Sequence, residues 1–324
     1  MNTKGLLIIN LGTPSQPTTR AVRQYLATFL ADKRVIDLPF FLRYFLLYAF
    51  ILPFRPQKSA HAYQAIWTDQ GSPLLLNSEA LLNKLRDKLR DTHDVALGMR
   101  YGEPSLHQAL NELAHCNELT ILPLYPQYSS AATGSSIEKA LRLLAPKVVF
   151  PSLHIIRDFY TNAGFIQAQA DLIKPHIGTH DYFLFSYHGV PEQHIKKSGC
   201  SSVCEAPCPV PTNKPCYRAQ CYETTALLIQ ASGLSASITQ TTFQSRLGKT
   251  PWIKPYTDEV LPKLAESGIK RLAVCCPSFL VDCLETLEEI GLRAKEQWLS
   301  LGGETLTLIP CINDGALFIA DMIL

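Results

Sequence analysis

Two stretches of this chain carry side chains suited to moving protons and holding a cation. The first is SYHGVP (186–191), where His188 closes the apolar run YFLFSYH, with Gly189 and Pro191 shaping the turn behind it. An imidazole titrates near neutrality, so at the end of a strand it is placed to accept a proton as a general base. The second is VDCLETLEEI (281–290). Read as a helix at about 100° per residue, it puts Asp282, Glu285 and Glu289 within about 60° of one another, with Leu280, Leu284 and Leu287 opposite. A stripe of carboxylates suits a hard or borderline divalent cation that is held loosely and passed on. Each feature has a plainer explanation. A lone histidine is commonly structural, and acidic residues in a helix's first turn complement its dipole. What favours chemistry is that both stretches follow predicted strands directly.

A third stretch, GCSSVCEAPCPVPTNKPC (199–216), holds Cys200, Cys204, Cys208 and Cys216 in a C-x3-C-x3-C-x7-C spacing, with Cys221 five residues on. Clustered thiols in a long, core-rich chain favour metal over disulfides. Zinc and iron–sulfur clusters both take four thiolates, and the spacing alone does not choose between them. The remaining cysteines, Cys116, Cys275, Cys276, Cys283 and Cys311, lie in apolar or helical segments and read as small buried hydrophobes.

The elements that must position these residues are legible in the apolar runs. GLLIINL (5–11), VALGMRY (95–101), LTILPL (119–124), YFLFSYH (182–188), ASITQTTF (236–243), RLAVCC (271–276) and TLTLIP (305–310) alternate with amphipathic stretches. Such runs predict parallel strands covered on both faces by helices. The fold class is α/β, with two similar Rossmann-like lobes. Ligands in this architecture bind beyond the carboxyl ends of the strands, which singles out NLGTPS (10–15), YPQYSSAATGSS (125–136), SYHGVP and CCPSFLVDCLETLEE (275–289). The extended stretch APKVVFPSLHIIRD (145–158) reads as a linker. It divides a lobe over 1–150 from one over 151–324, with the final helix expected to pack back on the first lobe.

At 324 residues the chain can bury a sizeable core, and with 47% apolar and 18% charged residues it reads as folded almost throughout. A net charge of +2, without Lys/Arg runs, argues against nucleic acid as a partner. The first strand is not followed by G-x-G-x-x-G, so a dinucleotide enzyme is a poor reading. The start, MNTKGLLIINLGTPS, has too short an apolar run for a signal peptide and suggests a cytoplasmic protein. One segment resists that description. LPFFLRYFLLYAFILPF (38–54) is short for a membrane span and interrupted by Arg43. It reads as a buried helix, or as an aromatic lip that covers an apolar ligand or dips into a membrane surface.

The chain resembles the ferrochelatases. LLIINLGTP, VRQYLATFLADKRVIDLP, IWTDQGSPL, MRYGEPS, LPLYPQYSSAATGSS, FSYHGVP, TFQSRLGKTPWIKPYTDE and CPSFLVDCLETLEEI follow one another nearly end to end in that family's order. The resemblance implies a chelatase-like fold and insertion of ferrous iron into protoporphyrin IX, the last step of haem synthesis. It also implies porphyrin and ferrous iron as partners, and a lip at 38–54 that meets the inner membrane from the cytoplasmic side. It places the essential base at His188, an inner acid at Glu285 and an outer relay at Glu289, with Asp282 one turn earlier. His188 and Glu285 would meet the iron. Cys283 stands where some members have a second histidine. Porphyrin contacts are implied for Leu11, Arg55, Arg100, Tyr101, Tyr128, Ser129, Ser130 and Trp252. Some members carry a [2Fe-2S] cluster, and here Cys200, Cys204, Cys208 and Cys216 would be its ligands, with Cys221 as a possible fifth. Coproporphyrin as substrate or cobalt as metal stands as an alternative, and so does an iron–sulfur sensor or haem carrier on the same fold. Oligomeric state is not legible.

Overall fold

In the computed structural model, which describes residues 3–200, 203–204, 216–248 and 250–324, the apolar runs become parallel strands. Each of the two compact units is built on its own four-stranded sheet. Met1–Tyr125, Ser129–Asp158 and Leu317–Leu324 make one unit, and Pro126–Tyr128 with Phe159–Ala316 make the other.

The first sheet contains β1 (Lys4–Asn10), β2 (His93–Met99), β3 (Glu118–Pro123) and β4 (Ser152–Ile155), in the order β2-β1-β3-β4. The second contains β5 (Tyr182–His188), β6 (Thr239–Gln244), β7 (Arg271–Cys275) and β8 (Thr305–Leu308), in the order β6-β5-β7-β8. All pairings are parallel, and the second order repeats the first. In such a sheet the chain leaves the first strand in opposite directions, and a crevice opens at the carboxyl ends where the order reverses. Those reversals lie between β1 and β3 and between β5 and β7.

The central strands are buried on both faces, which explains their unbroken apolar character: Leu6, Leu7, Ile8 and Ile9 are fully buried, as are Leu184, Ala273 and Val274. Leu7, Ile9, Leu106, Ile121 and Leu144 pack together in the first unit, and Leu184, Leu261, Val274, Ile290 and Trp298 in the second.

Residues 145–158 differ from the linker expected of them. Within them, β4 pairs with β3 from Glu118↔Ser152 to Ile121↔Ile155, so this strand belongs to the first sheet rather than to the second lobe. It is an edge strand, only partly buried, and its composition therefore lacks the apolar signature of its neighbours. The last helix, Phe318–Ile323, belongs to the first unit, where Asp321 accepts from Lys88 Nζ at 2.7 Å.

The segment 38–54 is helical. A helix over Phe40–Leu46 runs through a π-helical turn, Leu47–Ile51, into a helix over Leu52–Ile66. Leu47 and Leu52 point inward, whereas Phe40, Phe41, Leu42, Phe45, Tyr48, Phe50 and Phe54 are exposed, Phe41 at 83% and Phe54 at 76%. That is a contiguous apolar surface of the kind that marks an interaction site. Among the described residues, no helix is long and apolar enough to cross a membrane.

Candidate active site

His188 is the last residue of β5, at the reversal between β5 and β7. Its backbone is clamped twice: its N–H donates to Ser278 Oγ at 2.9 Å, and its carbonyl accepts from the Tyr217 hydroxyl at 2.7 Å. The ring is oriented by Nδ1, which lies 2.6 Å from the Gly189 carbonyl oxygen. A carbonyl only accepts, so Nδ1 carries the hydrogen and Nε2 presents a lone pair. Phe279 and Trp252 flank the imidazole, with ring centroids at 6.1 and 6.3 Å.

Gly189 is required beside this histidine by close approach. A Cβ there would lie 2.9 Å from the Gln244 carbonyl oxygen and 3.2 Å from Trp252 Cε3. Trp252 is half-buried and anchored by its indole N–H on the Leu247 carbonyl, and Pro191 forms a β-bridge with it.

The acidic stretch departs from a continuous helix. The helix begins at Leu284, with Cys283 as its cap, and gives way after Leu287 to a π-helical turn over Glu289–Ala294. Asp282 lies before the helix, so it does not share a stripe with Glu285 and Glu289. Its buried carboxylate accepts from Thr286 Oγ1 at 2.9 Å and Asn313 Nδ2 at 2.8 Å, and from the Cys311 N–H. This is a brace between loops. The packed face differs in part: Leu280 is buried as expected, but Thr286 and Ile290 are buried where Leu284 and Leu287 are only half-buried.

Glu289 is held across the chain from just beyond β6. Ser245 donates to it from both backbone N–H and hydroxyl, and Arg293 approaches to 4.0 Å. Burial pushes the Glu289 carboxyl above its ordinary value, against the pull of Ser245, Arg293 and the charge of His188. A carboxyl moved towards neutrality both takes and gives protons readily. Ser245 is one of two non-glycine residues with positive φ among the described residues, at +65°. The neighbouring Gln244, the last residue of β6, donates to the Glu285 carbonyl at 2.6 Å and accepts from Ser186. Glu285 itself is half-buried. Ser245, Gln244 and Phe279 were not singled out from sequence, because their contacts are to residues distant in the chain.

In the first unit, the exits of β1 and β2 are laced together. Arg100 N–H donates to the Asn10 carbonyl and Tyr101 N–H to the Leu11 carbonyl. Leu11 is half-buried, and the next residue must be glycine: φ at Gly12 is +104°, and a Cβ would fall 1.7 Å from the Tyr101 carbonyl oxygen. Arg100 pairs with Asp32 at 2.6 Å and with Ser135 Oγ at 2.7 Å. Tyr101 is buried, its hydroxyl donating to Asp32 at 2.8 Å. Asp32 is thus the hub of this cluster. Burial works against its charge, but hydrogen bonds from Ser135, the Arg34 backbone and Tyr101, with the Arg100 charge, hold its carboxyl below the usual range.

A cleft of about 220 Å³ opens beside it, lined by Asp32, Arg43, Arg100, Ser135, Glu138 and Arg142 among others. Ser130 accepts from Arg34, and Ser129 caps the π-helical turn Ser130–Gly134. Arg55 is half-buried in the helix Leu52–Ile66. Tyr128 belongs to the second unit, where its N–H donates to Gln220 Oε1 at 2.7 Å.

Of the clustered cysteines, Cys208 lies outside the described residues. Cys200 and Cys204 are half-buried, Cys216 is buried at the start of the helix Tyr217–Ser232, and Cys221 is fully buried within it. Among the described residues, these thiols do not form a group of three within 4.8 Å. Cys283 is buried, and burial, together with the adjacent Glu285, raises its thiol far above the ordinary value.

The ferrochelatase family model matches residues 3–323. The chain belongs to the ferrochelatase family. It is 59% identical over 313 residues to the ferrochelatase of Legionella pneumophila strain Paris, covering 96% of this chain and 95% of that protein. Identity with the ferrochelatase of Coxiella burnetii strain Dugway 5J108-111 is 48% over 321 residues, with coverage of 96% and 90%. Among solved structures, SirB from Bacillus subtilis with Fe3+ superposes with a TM-score of 0.55 at 11% identity, over 99% of this chain and 95% of that one. The sirohydrochlorin chelatase SirB of Bacillus subtilis subspecies spizizenii, in complex with cobalt, gives 0.54 at 10% identity, with coverage of 98% and 93%. At such identities these two speak for the fold alone, and it is the chelatase fold. As a ferrochelatase, the chain is an enzyme of the ferro-lyase type.

Proposed function

We propose that this ferrochelatase inserts ferrous iron into protoporphyrin IX, with His188 as the base. The reaction must remove two pyrrole protons as the cation enters: iron forms bonds to the four ring nitrogens, and two protons leave. The observation that carries the reading is the placement of His188 Nδ1 at 2.6 Å from the Gly189 carbonyl oxygen, which takes the Nδ1 hydrogen and leaves Nε2 of the neutral ring to offer a lone pair. The flanking rings of Trp252 and Phe279 suit an apolar, planar substrate.

Glu289, raised by burial and sensing the His188 charge, is the relay for the proton that His188 takes. Glu285 is the acid nearer the arriving iron, and Asp282 shapes the loop that presents it. Leu11, Arg55, Arg100, Tyr128, Ser129 and Ser130 are proposed contacts of the macrocycle or its propionates. Tyr101, being buried, would act through Asp32 and Arg100. The shared name of the relatives favours iron over cobalt.

Two further features complete the reading. The exposed apolar face over Phe40–Phe54 would dip into the cytoplasmic side of the inner membrane, from which an apolar porphyrin arrives. Cys200, Cys204, Cys208 and Cys216 would hold a [2Fe-2S] cluster. Four thiolates on one short stretch fit that group chemically, and their gathering depends on residues 205–215, outside the described residues. Such a cluster supplies one-electron chemistry, and here its ligands would brace the segment ahead of the helix Tyr217–Ser232 without joining the proton transfers.

The test is anaerobic insertion of ferrous iron into protoporphyrin IX, followed by the loss of porphyrin fluorescence. His188→Ala should retain its fold and porphyrin affinity while losing roughly 10²–10⁴-fold in rate. Porphyrin or haem binding without turnover in the wild type would instead indicate a carrier.

A further inference from the structure

At the amino ends of the first sheet's strands, opposite the ends that carry Leu11 and Arg100, three metal-ligating side chains converge. Asp94 is the second residue of β2, in register with Gly5 of β1, and His115 and Cys116 lie in the turn leading into β3. His115 Nε2 is 2.6 Å from Asp94 Oδ2 and 3.6 Å from Cys116 Sγ. The three donor atoms all lie within 4.8 Å of one another, the one such group among the described residues.

The sequence builds this convergence into the backbone. Cys116 N–H donates to the Leu113 carbonyl, while Asn117 and Glu118 both donate to the Thr3 carbonyl, tying the turn to the start of β1. Gly5 leaves room for the thiol, since a Cβ there would sit 3.1 Å from Cys116 Sγ. The thiol forms a buried wall, whereas the side chains of His115 and Asp94 are 37% and 39% exposed and open a path for a cation.

We propose that Asp94, His115 and Cys116 form a binding site for a divalent cation of the zinc class, with water as fourth ligand. One sulfur, one nitrogen and one oxygen donor suit a borderline, tetrahedral ion and are poor for magnesium or calcium, which want oxygen alone. Metal–ligand bonds of about 2.0–2.3 Å at a tetrahedral angle require neighbouring donors roughly 3.3–3.8 Å apart. Cys116 and His115 already meet this spacing, and the Asp94–His115 hydrogen bond opens by less than about 1 Å as the ion replaces its proton. The balance is simple: the ion takes the Nε2 lone pair, the carboxylate and the thiolate. Asp94 Oδ2 only accepts, so Nε2 carries the bridging hydrogen before the ion enters; that proton leaves to solvent as Nδ1 takes one up, and the thiol proton also goes to solvent, a net release of one proton. The bound ion would lock the lower edge of β1, β2 and β3, and iron insertion does not require it.

The test uses full-length protein stripped of metal and titrated anaerobically with Co2+. Wild type should take up one equivalent more than His115→Gln, with a cobalt–thiolate charge-transfer band in the near ultraviolet that Zn2+ displaces. Cys116→Ser should lose that band. Because Cys116 is buried, the exposed variants His115→Gln and Asp94→Asn serve as controls, with folding checked by circular dichroism and iron insertion expected to match wild type. Zn2+ should raise the melting temperature of wild type above any rise in these two variants. Equal stoichiometry and equal spectra in wild type, His115→Gln and Asp94→Asn would overturn the proposal. So would a cobalt band lost in Cys204→Ser and kept in Cys116→Ser, since that places the thiolate in the cysteine-rich stretch.

Discussion

Ser245 grips Glu289 with two hydrogen bonds, its backbone N–H at 2.8 Å and its hydroxyl at 2.5 Å from the two carboxylate oxygens. Both favour the ionised acid, and they oppose the burial that raises it. Ser245→Ala removes the hydroxyl and lets the Glu289 carboxyl rise further. Iron insertion should fall on the order of tenfold, the kinetic equivalent of about 1.4 kcal/mol for a bond to a charged group. The acidic limb of the pH–rate profile should also move to higher pH. A profile that keeps its shape while merely dropping in height would count against Glu289 as a proton relay.

The same carboxyl should burden folding. A group whose folded value is raised gives stability that is fully present below its ordinary value, 4.5 for this carboxyl, and lost as pH climbs through the folded value. Glu289→Gln escapes that loss. Calorimetric scans should therefore find the variant melting higher than wild type at pH 8, with the gap closing towards pH 4.5, while iron insertion is impaired. A variant less stable than wild type at pH 8 would refute the sign.

Gly12→Ala tests the lacing of the β1 and β2 exits. The new Cβ meets the Tyr101 carbonyl at a φ that side chains rarely adopt, so the loop must break rather than adjust. Urea unfolding should show a loss of more than about 2 kcal/mol. Near-normal stability would mean that the loop relaxes freely.

The exposed aromatic face should act on lipid and not on chemistry. Phe41→Ser combined with Phe54→Ser should weaken flotation with anionic phospholipid vesicles at least tenfold, given about 1.5–3 kcal/mol for each fully buried phenylalanine. Insertion of iron into detergent-dispersed porphyrin should be unchanged. Unaltered flotation would place the membrane contact elsewhere.

Replacing Cys204 by serine should abolish the visible absorbance of the purified protein and leave iron insertion intact in a folded chain. Loss of turnover at unchanged stability would give the cysteine-rich stretch a direct part in the reaction.

Much of this was legible in the chain itself. Seven of the eight described strands were legible as short apolar or β-branched runs, most plainly the central β1, β3, β5 and β7, where burial on both faces favours apolar residues at nearly every position, and His188 could be found from its place after one of them. β4 escaped notice because it is only four residues long, with Ser152 and His154 exposed and Leu153 and Ile155 only partly buried. Asp282 was misplaced because a regular helical count through 281–290 ignores both the late start at Leu284 and the wide turn beyond Leu287. Asp32 and Ser245 were missed for another reason. Asp32 meets Arg100 and Ser135 across 68 and 103 residues, and Ser245 meets Glu289 across 44, distances over which local patterning says nothing.

Three wide helical turns occur among the described residues, over Leu47–Ile51, Ser130–Gly134 and Glu289–Ala294, and each lies in a segment assigned to substrate, membrane or proton handling. A π turn is what remains when a helix absorbs a single-residue insertion without unravelling. Such an insertion is reversible in principle. Deleting one residue between Glu289 and Ala294 would let the hydrogen-bond ladder return to regular spacing, and it would swing Glu289 by about 100° relative to the helix that follows. The trimmed chain would gain order in that helix and lose the grip of Ser245. Reading-frame-preserving deletions at these three places therefore separate what the fold would choose from what catalysis has kept.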